Sequence, residues 1–390
     1  MLKLAFLSLL RRPLRQLLLF LLILVTAAVP VYILQVTGGL YEGINRAVEP
    51  FPILAGARGS AYQLVLNTVF LRDRPVGNIS YEEMKKLEDG GKTQAVYPLG
   101  FGDNYRGFRI AGTDAALFDY RPKKNKGPWL AMGEGRVFRN EGEAVIGSET
   151  ARLTGLKVGD TFKSVHGTSA KGHAHEHPFK VVGILSPVGG PYDTAIFIDM
   201  KDVWEEHGEK EEAKREVTAL LVVPKGYKEA MELLSAYQKN KEVQMVFPSQ
   251  SIISLYAMVG QTKGFWKALV ISLLAMSLII TLLVMYWSGL SRLPELALLE
   301  ALGAGKGKIR SLLLLEEGML LFLGSLAGWC AAYGGSFLTA RAIANTAAIT
   351  MVTAPDWRGL LIIPVITLCG MAAGLIPAAL LGRKDVSQYL

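Results

Sequence analysis

Two uncharged apolar runs, Ala268–Leu290 and Gly318–Thr339, lie so close together that they dictate what the rest of the chain can be. Each exceeds the roughly 20 residues a helix needs to cross a bilayer core, so the segment joining them is a short loop at one membrane face. Its chemistry is helical. Pro294 suits a first helical turn, and Glu295 beside it complements the positive helix N-terminus. Leu296, Leu299 and Leu302 recur at i, i+3, i+6, flanked by Leu298 and Ala301, which predicts a short amphipathic helix. Gly303 stands where a left-handed cap would end it. Lys306, Lys308 and Arg310 follow and face anionic headgroups or an acidic partner. At the next span, Glu316 and Glu317 are expected to be membrane-edge carboxylates, within reach of Lys308 or Arg310. A greasy helix held along the membrane between two spans is built to be gripped from outside the bilayer.

The run Arg292, Glu295, Leu296, Ala297, Leu298, Leu299, Glu300, Ala301, Leu302, Gly303 and Ala304, followed by Lys308, Arg310 and Glu316–Glu317–Gly318, resembles a known coupling segment. It is the cytoplasmic segment of FtsX-like permeases, the MacB-like and lipoprotein-releasing branch of ABC transporters. Pro294, directly before Glu295, departs from the family pattern. Ser8–Arg15 resembles the family's N-terminal entry segment, and Glu143–Gly159 a strand–helix turn of its outer domain, closing on a Gly159–Asp160 corner. The resemblance implies that Glu295, Leu296, Leu298, Leu299, Ala301, Leu302 and Gly303 contact an ABC ATPase. It also implies two ATPase copies holding Mg-ATP, a second permease copy, and an extracytoplasmic adaptor or substrate-binding protein as a further candidate partner.

Charge fixes the expected topology. Of the residues, 51% are hydrophobic and 19% charged, too apolar for a wholly soluble chain and too polar for a wholly embedded one. The formal charge of +8 does not point to nucleic acid, because basic residues gather at membrane edges. Lys3, Arg11, Arg12 and Arg15 precede the first span; Arg292, Lys306, Lys308 and Arg310 lie between the second and third; Arg383 and Lys384 follow the fourth. By the positive-inside rule these faces are cytoplasmic, in a multi-pass protein of the cytoplasmic or inner membrane with both termini inside. The expected order is a cytoplasmic amphipathic helix (1–13), span one (14–36) and an extracytoplasmic domain with stalk helices at both ends (37–262). Span two (263–290), the coupling helix and loop (291–310), span three (311–340), an external loop (341–358), span four (359–382) and a cytoplasmic tail (383–390) complete it. The first uncharged run is too long for a typical signal-peptide core, which favours a retained anchor. Cys330 and Cys369 fall inside spans, so the external domain has no disulfide.

Between spans one and two, short strand-like runs alternate with a few helices, which predicts an α+β domain of two lobes. The strands expected are Gln94–Tyr97, Phe108–Ile110, Ala144–Ile146, Thr161–Val165, Phe179–Leu185, Thr194–Ile198 and Val217–Val223. Four of the chain's five histidines lie between His166 and His177. His166, His173, His175 and His177, with Glu176 among them, sit between two expected strands, so a hairpin would display them. Neutral imidazole suits Zn²⁺, Cu²⁺ or Ni²⁺, and several nitrogens with a carboxylate make a plausible set. A polar hairpin tip without a ligand is the plainer alternative. His207 stands apart, thirty residues on. The surrounding sequence also resembles a subset of these permeases with a histidine-rich external loop, which implies metal handling. Gly167–Gly172 has the glycine spacing of a phosphate loop, but His173 occupies the required lysine position, and no nucleophile with a paired base is evident.

The expected protein is a membrane protein of four transmembrane helices with a large extracytoplasmic α+β domain between helices 1 and 2. It is a non-catalytic permease with no cofactor of its own beyond a candidate Zn, Cu or Ni ion. The resemblance implies that it transmits ATP-driven motion to export or extract a hydrophobic or metal-linked substrate. The alternatives are a regulatory complex controlling a partner such as a cell-wall hydrolase, and a membrane-anchored metalloenzyme.

Overall fold

The computed structural model describes residues 13–123, 125–167, 174–208, 211, 214–258, 261–347, 351, 353 and 357–381. The expected helix over Met1–Arg12, the glycine-rich segment before His173 and the tail after Leu381 lie outside them. The chain divides into two compact units, one of residues 1–39, 262–342 and 352–390, the other of residues 40–261 and 343–351.

The membrane unit begins with α1 (Pro13–Val48), whose C-terminal end belongs to the other unit. Among the described residues, three helical stretches are long and apolar enough to cross a membrane: Pro13–Val48, Ala268–Leu290 and Lys306–Ile343. A shorter apolar stretch spans Ile362–Ile376. Small residues let these helices meet. A Cβ added at Gly328 would come within 2.5 Å of the Leu24 carbonyl oxygen and 2.8 Å of the Ala27 Cβ, and one at Gly324 within 2.9 Å of Ile23. Gly370 likewise receives the Leu321 side chain. Both Gly-x-x-x-Gly pairs therefore serve contacts inside one chain, the close approach such spacing permits.

The inserted unit is α+β. In chain order it contains β1 (Ile53–Ala57), α2 (Ala61–Thr68), β2 (Ile79–Ser80), α3 (Glu82–Asp89), β3 (Thr93–Tyr105), β4 (Phe108–Thr113), β5 (Met132–Gly135) and β6 (Glu143–Ile146). There follow α4 (Ser148–Thr154), β7 (Thr161–His166), β8 (Ala174–Leu185), β9 (Ile196–Asp199), α5 (Met200–Glu206), β10 (Glu216–Val217), β11 (Ala219–Pro224), α6 (Tyr227–Tyr237), β12 (Val243–Val246) and α7 (Pro248–Met258). Ten strands form one connected sheet, in the order β12-β1-β11-β3-β4-β9-β6-β8-β5 with β7 on β3 and β8. The lobes expected from sequence share β3. Its first half pairs with β11, as in Val96↔Val222, and its second half with β4 and β7, as in Phe101↔Ala111 and Asp103↔His166. β7 and β8 form an antiparallel hairpin. The segment after β6 closes as α4, capped by Gly155 in the left-handed conformation (φ 77°), where a side chain would be strained.

One packing feature positions everything that follows. Gly100 and Gly112 pair across β3 and β4, and their missing side chains make a floor for α5. A Cβ at Gly112 would lie 2.3 Å from Val203, and one at Gly100 2.8 Å from Met200. Met200 and Trp204 are buried, so α5 is pinned flat on the sheet and its C-terminal end is held above the second half of β3. Asp202 is buried on the same helix and accepts a hydrogen bond from the Gly142 N–H at 3.2 Å.

Burial, with Asp199, Glu141 and Glu205 nearby, pushes the Asp202 carboxyl up to about 7, partly offset by that hydrogen bond. A carboxyl raised in the folded state binds a proton that the unfolded chain has already lost. Stability therefore falls as pH rises from about 4 to about 7, and the cost is complete at pH 8. Asp202→Asn keeps the acceptor and removes the charge. It is expected to stabilise the inserted unit by about 1–3 kcal/mol at pH 8 and to change little at pH 4. Thermal unfolding at both pH values checks this; equal effects at both would remove burial of the charge as the cause.

Candidate functional site

The membrane unit continues through α8 (Gln261–Leu290), α9 (Leu293–Ala301), α10 (Lys306–Ala347), α11 (Trp357–Leu360) and α12 (Ile362–Leu381). α9 is the helix expected between two spans, with Pro294 in its first turn and Gly303 just beyond it at φ 91°. Its two faces differ. Leu293 and Ala297, one turn apart, are buried, and Leu293 packs with Ile309 and Leu313 at the start of α10. Leu298, Leu299 and Leu302 are 53%, 36% and 77% exposed and form a continuous apolar ridge beside Ala301. Glu295 is exposed; the Leu296 side chain lies outside the described set. Glu300 pairs with Lys306 at 3.4 Å, closing the turn between α9 and α10.

The acidic pair of α10 is placed differently from the expectation. Glu316 pairs with Arg292, at the junction of α8 and α9, and both are buried. Lys308 and Arg310 point to the exposed surface. The reason is geometric: Lys308 and Arg310 leave the start of α10 outward, whereas Arg292 enters from the neighbouring helix end. Glu317 is also buried, with neither carboxylate oxygen hydrogen-bonded among the described residues, and faces Gly374 of α12.

The histidines fall into two groups. His177 is exposed on β8. His175 and Glu176 lie on that strand with side chains outside the described set, and His173 lies outside it altogether. His166, at the end of β7, instead turns toward β3, where its Nδ1 is 3.1 Å from Asp103 Oδ1. His207, just past α5, brings Nε2 to 3.6 Å from Asp103 Oδ2. The two imidazoles meet edge to face with centroids 5.3 Å apart. Asn104, fully buried, donates to the carbonyls of Val165 and Gly167 at 3.3 and 2.7 Å and so holds the backbone on both sides of His166. Burial, with Asp103 adding repulsion, pushes Glu206 up to about 7; its Oε1 lies 3.4 Å from Ser164 Oγ. Asp103 and His207 carried no local signal in sequence. Their meeting depends on the register of β3 with β7 and on α5 resting on Gly100 and Gly112.

A concavity in the inserted unit, of about 660 Å³, is lined by residues that include Glu42 and Arg46 of α1, Pro50, Trp129 and Tyr192. Trp129 packs against Phe51 and Tyr192 at centroid distances of 5.1 and 4.8 Å. The Asp193 carboxylate accepts the Val188, Gly189 and Gly190 N–H groups at 2.7, 2.8 and 3.2 Å, fixing the loop at the rim.

Membrane helices with an α+β unit inserted after the first of them, and a short helix between the next two that is apolar on its buried and exposed faces alike rather than amphipathic, define a permease-type membrane protein. The FtsX-like permease C-terminal family matches residues 267–386, and the MacB-like periplasmic core domain family matches residues 25–236. The chain belongs to the FtsX/MacB-like ABC transporter permeases. It is thus the transmembrane subunit of an ABC transporter, in a permease family whose ATPase activity lies on a partner. Among the solved structures similar to it are two outer domains. One is the periplasmic region of MacB from Actinobacillus actinomycetemcomitans, at 13% identity over 54% of this chain and 95% of that one, with a TM-score of 0.37. The other is the extracellular domain of the noncanonic ABC-type transporter YknZ from Gram-positive bacteria, at 13% identity over 50% and 98%, with a TM-score of 0.32. No curated protein matches the chain in sequence.

Proposed function

We propose that this permease works by mechanotransmission. The ATPase grips α9, and ATP-driven closure is passed along the helices to the inserted unit, which lies outside the cytoplasm. The observation that carries the reading is the two-faced α9: Leu293 and Ala297 root it in the membrane unit, while Leu298, Leu299 and Leu302 are left as an exposed ridge. Glu295, Leu296, Ala301 and Gly303 complete the contact. The unbroken 36-residue α1 supports transmission, since a continuous helix moves as a rod. α7 and the start of α8, which fall in the stalk expected from sequence, serve as the second stalk.

Four spans complete the membrane unit. α12 has 20 residues, which at 1.5 Å each gives about 30 Å, enough for the hydrocarbon core. Both termini are cytoplasmic, two permeases sit on two ATPases, and an adaptor or substrate-binding protein docks outside. The substrate is hydrophobic or metal-linked and is exported or extracted; the cleft beside Trp129 and Tyr192 is lined by charged side chains (Glu42, Arg46, Glu49, Lys123 and Lys126) as well as by apolar ones, a fit for an amphipathic molecule.

Topology is the assumption on which this reading turns. Lys228 has an 83% exposed side chain on α6. In a background where Cys330 and Cys369 are serine, Lys228→Cys is expected to react with a membrane-impermeant maleimide in intact cells. Labelling only after permeabilisation would place the inserted unit in the cytoplasm and defeat the mechanism.

A further inference from the structure

We infer that Asp103, His166 and His207 form a binding site for a divalent transition-metal ion of the Zn²⁺ class. The three residues come from three elements: the last stretch of β3 before its turn, the end of β7, and the turn that follows α5. Their donor atoms all lie within 4.8 Å of one another. The two imidazole nitrogens address different oxygens of one carboxylate, at 3.1 and 3.6 Å. Ligands on an ion with bonds of about 2.0–2.2 Å stand about 3.3–3.6 Å apart in a tetrahedron, so small side-chain rotations suffice to admit it. Two imidazoles and one carboxylate are borderline donors that suit Zn²⁺ and leave a position open to water or a further ligand.

The surroundings are built to hold this arrangement. Asp103 is buried, with a side chain only 4% exposed, and its backbone pairs with His166 across the strands. Asn104 ties the carbonyls flanking His166, and the Gly167 N–H donates to the Gly102 carbonyl at 2.8 Å. The other imidazole lies against the same strand: a Cβ at Gly102 would be in ordinary contact with His207 Nε2, at 3.5 Å. His166 and His207 reach the carboxylate from opposite elements, and their own edges remain open to solvent at 60% and 26% exposure, so an ion has an entry path. A plain ion pair needs one imidazole on one carboxylate; here two converge, with the supporting backbone locked. Binding would tie the loop end of the β7–β8 hairpin to the end of α5. The site lies within the inserted unit and stands independently of how the chain couples to an ATPase.

The test is titration of the purified full-length chain in detergent with Zn²⁺ by calorimetry, and with Co²⁺ by its visible absorption. One ion per chain is expected at this site, with thermal unfolding shifted upward by excess Zn²⁺. His166→Ala, an exposed position whose loss spares the fold, and His207→Ala should each weaken binding at least about 10-fold and abolish the Zn²⁺-induced thermal shift. Asp103→Asn, which keeps shape and loses charge, should do the same. The triple change His173→Ala, His175→Ala and His177→Ala should leave affinity, absorption and thermal shift in place. No uptake by the unaltered chain would overturn the inference. So would binding that survives His207→Ala, or binding that the triple change removes, either of which would move the ligands to the hairpin.

Discussion

Placing aspartate at both Leu298 and Leu299 is expected to abolish co-purification with the ABC ATPase and transport-linked ATP hydrolysis while the permease stays folded. Leu298 is 53% and Leu299 36% exposed in the chain by itself, so neither belongs to the buried core of the membrane unit. Loss of co-purification with an unchanged melting curve would therefore come from a partner. Burying a leucine contributes roughly 1.5–3 kcal/mol, so removing two from a docked interface amounts to about 3–6 kcal/mol, or roughly a hundred- to ten-thousand-fold in affinity. Aspartate adds the penalty of a desolvated charge. Leu293→Asp is the contrasting change: Leu293 is 6% exposed against Ile309 and Leu313, and its replacement should lower the yield of folded protein instead. The measurement is pull-down and ATPase activity in proteoliposomes alongside a detergent melting curve. Unchanged co-purification and activity in the double variant would dismiss α9 as the coupling element.

Breaking the buried pair behind α9 should have an effect of similar size on stability. Arg292→Ala leaves Glu316, 3% exposed, without its cation and beside the equally buried Glu317. Removing one partner of a buried ion pair typically costs about 3–5 kcal/mol, because a charge is stranded, whereas removing both is often nearly neutral. The single variant is expected to melt lower in detergent or fail to accumulate, and Arg292→Ala with Glu316→Ala to recover most of the loss. Lys308→Ala and Arg310→Ala, both exposed, should do little. If the single and double variants behave alike, the pair is not what holds the end of α8 against α10.

These two expectations differ in how far the sequence could foresee them. The leucine ridge was visible as a repeat of apolar residues after Pro294, because a nine-residue helix carries its own periodicity. The Arg292–Glu316 pair was not. Sequence spacing favoured Lys308 and Arg310, which share a helix with Glu316, whereas the true partner arrives from the neighbouring helix. Local spacing ranks only neighbours along one element.

The strands divide along the same line. β4, β6, β8 and β11 are read from runs of branched and aromatic residues. β1, β2, β5 and β12 are not legible in the sequence: Ile53–Ala57 is buried on both faces and shows no alternation, Ile79–Ser80 has two residues, and Met132–Gly135 and Val243–Val246 have four each. β3 runs on past Tyr97 through Gly100 and Gly102, where glycine normally weakens a strand. At Gly100 the glycine serves close packing, because Met200 occupies the space a side chain would take.

By itself the sequence determined a membrane protein with an α+β insertion and an apolar helix offered at the membrane surface, since hydropathy, charge bias and helical period are all local properties. It also drew attention to the hairpin histidines by their number. The tertiary structure decided that His166 turns away from that group toward Asp103 and His207, residues separated by 63 positions on one side and 41 on the other. Strand register and the seating of one helix on a pair of glycines bring those three together, and neither leaves a mark in the spacing of the ligands along the chain.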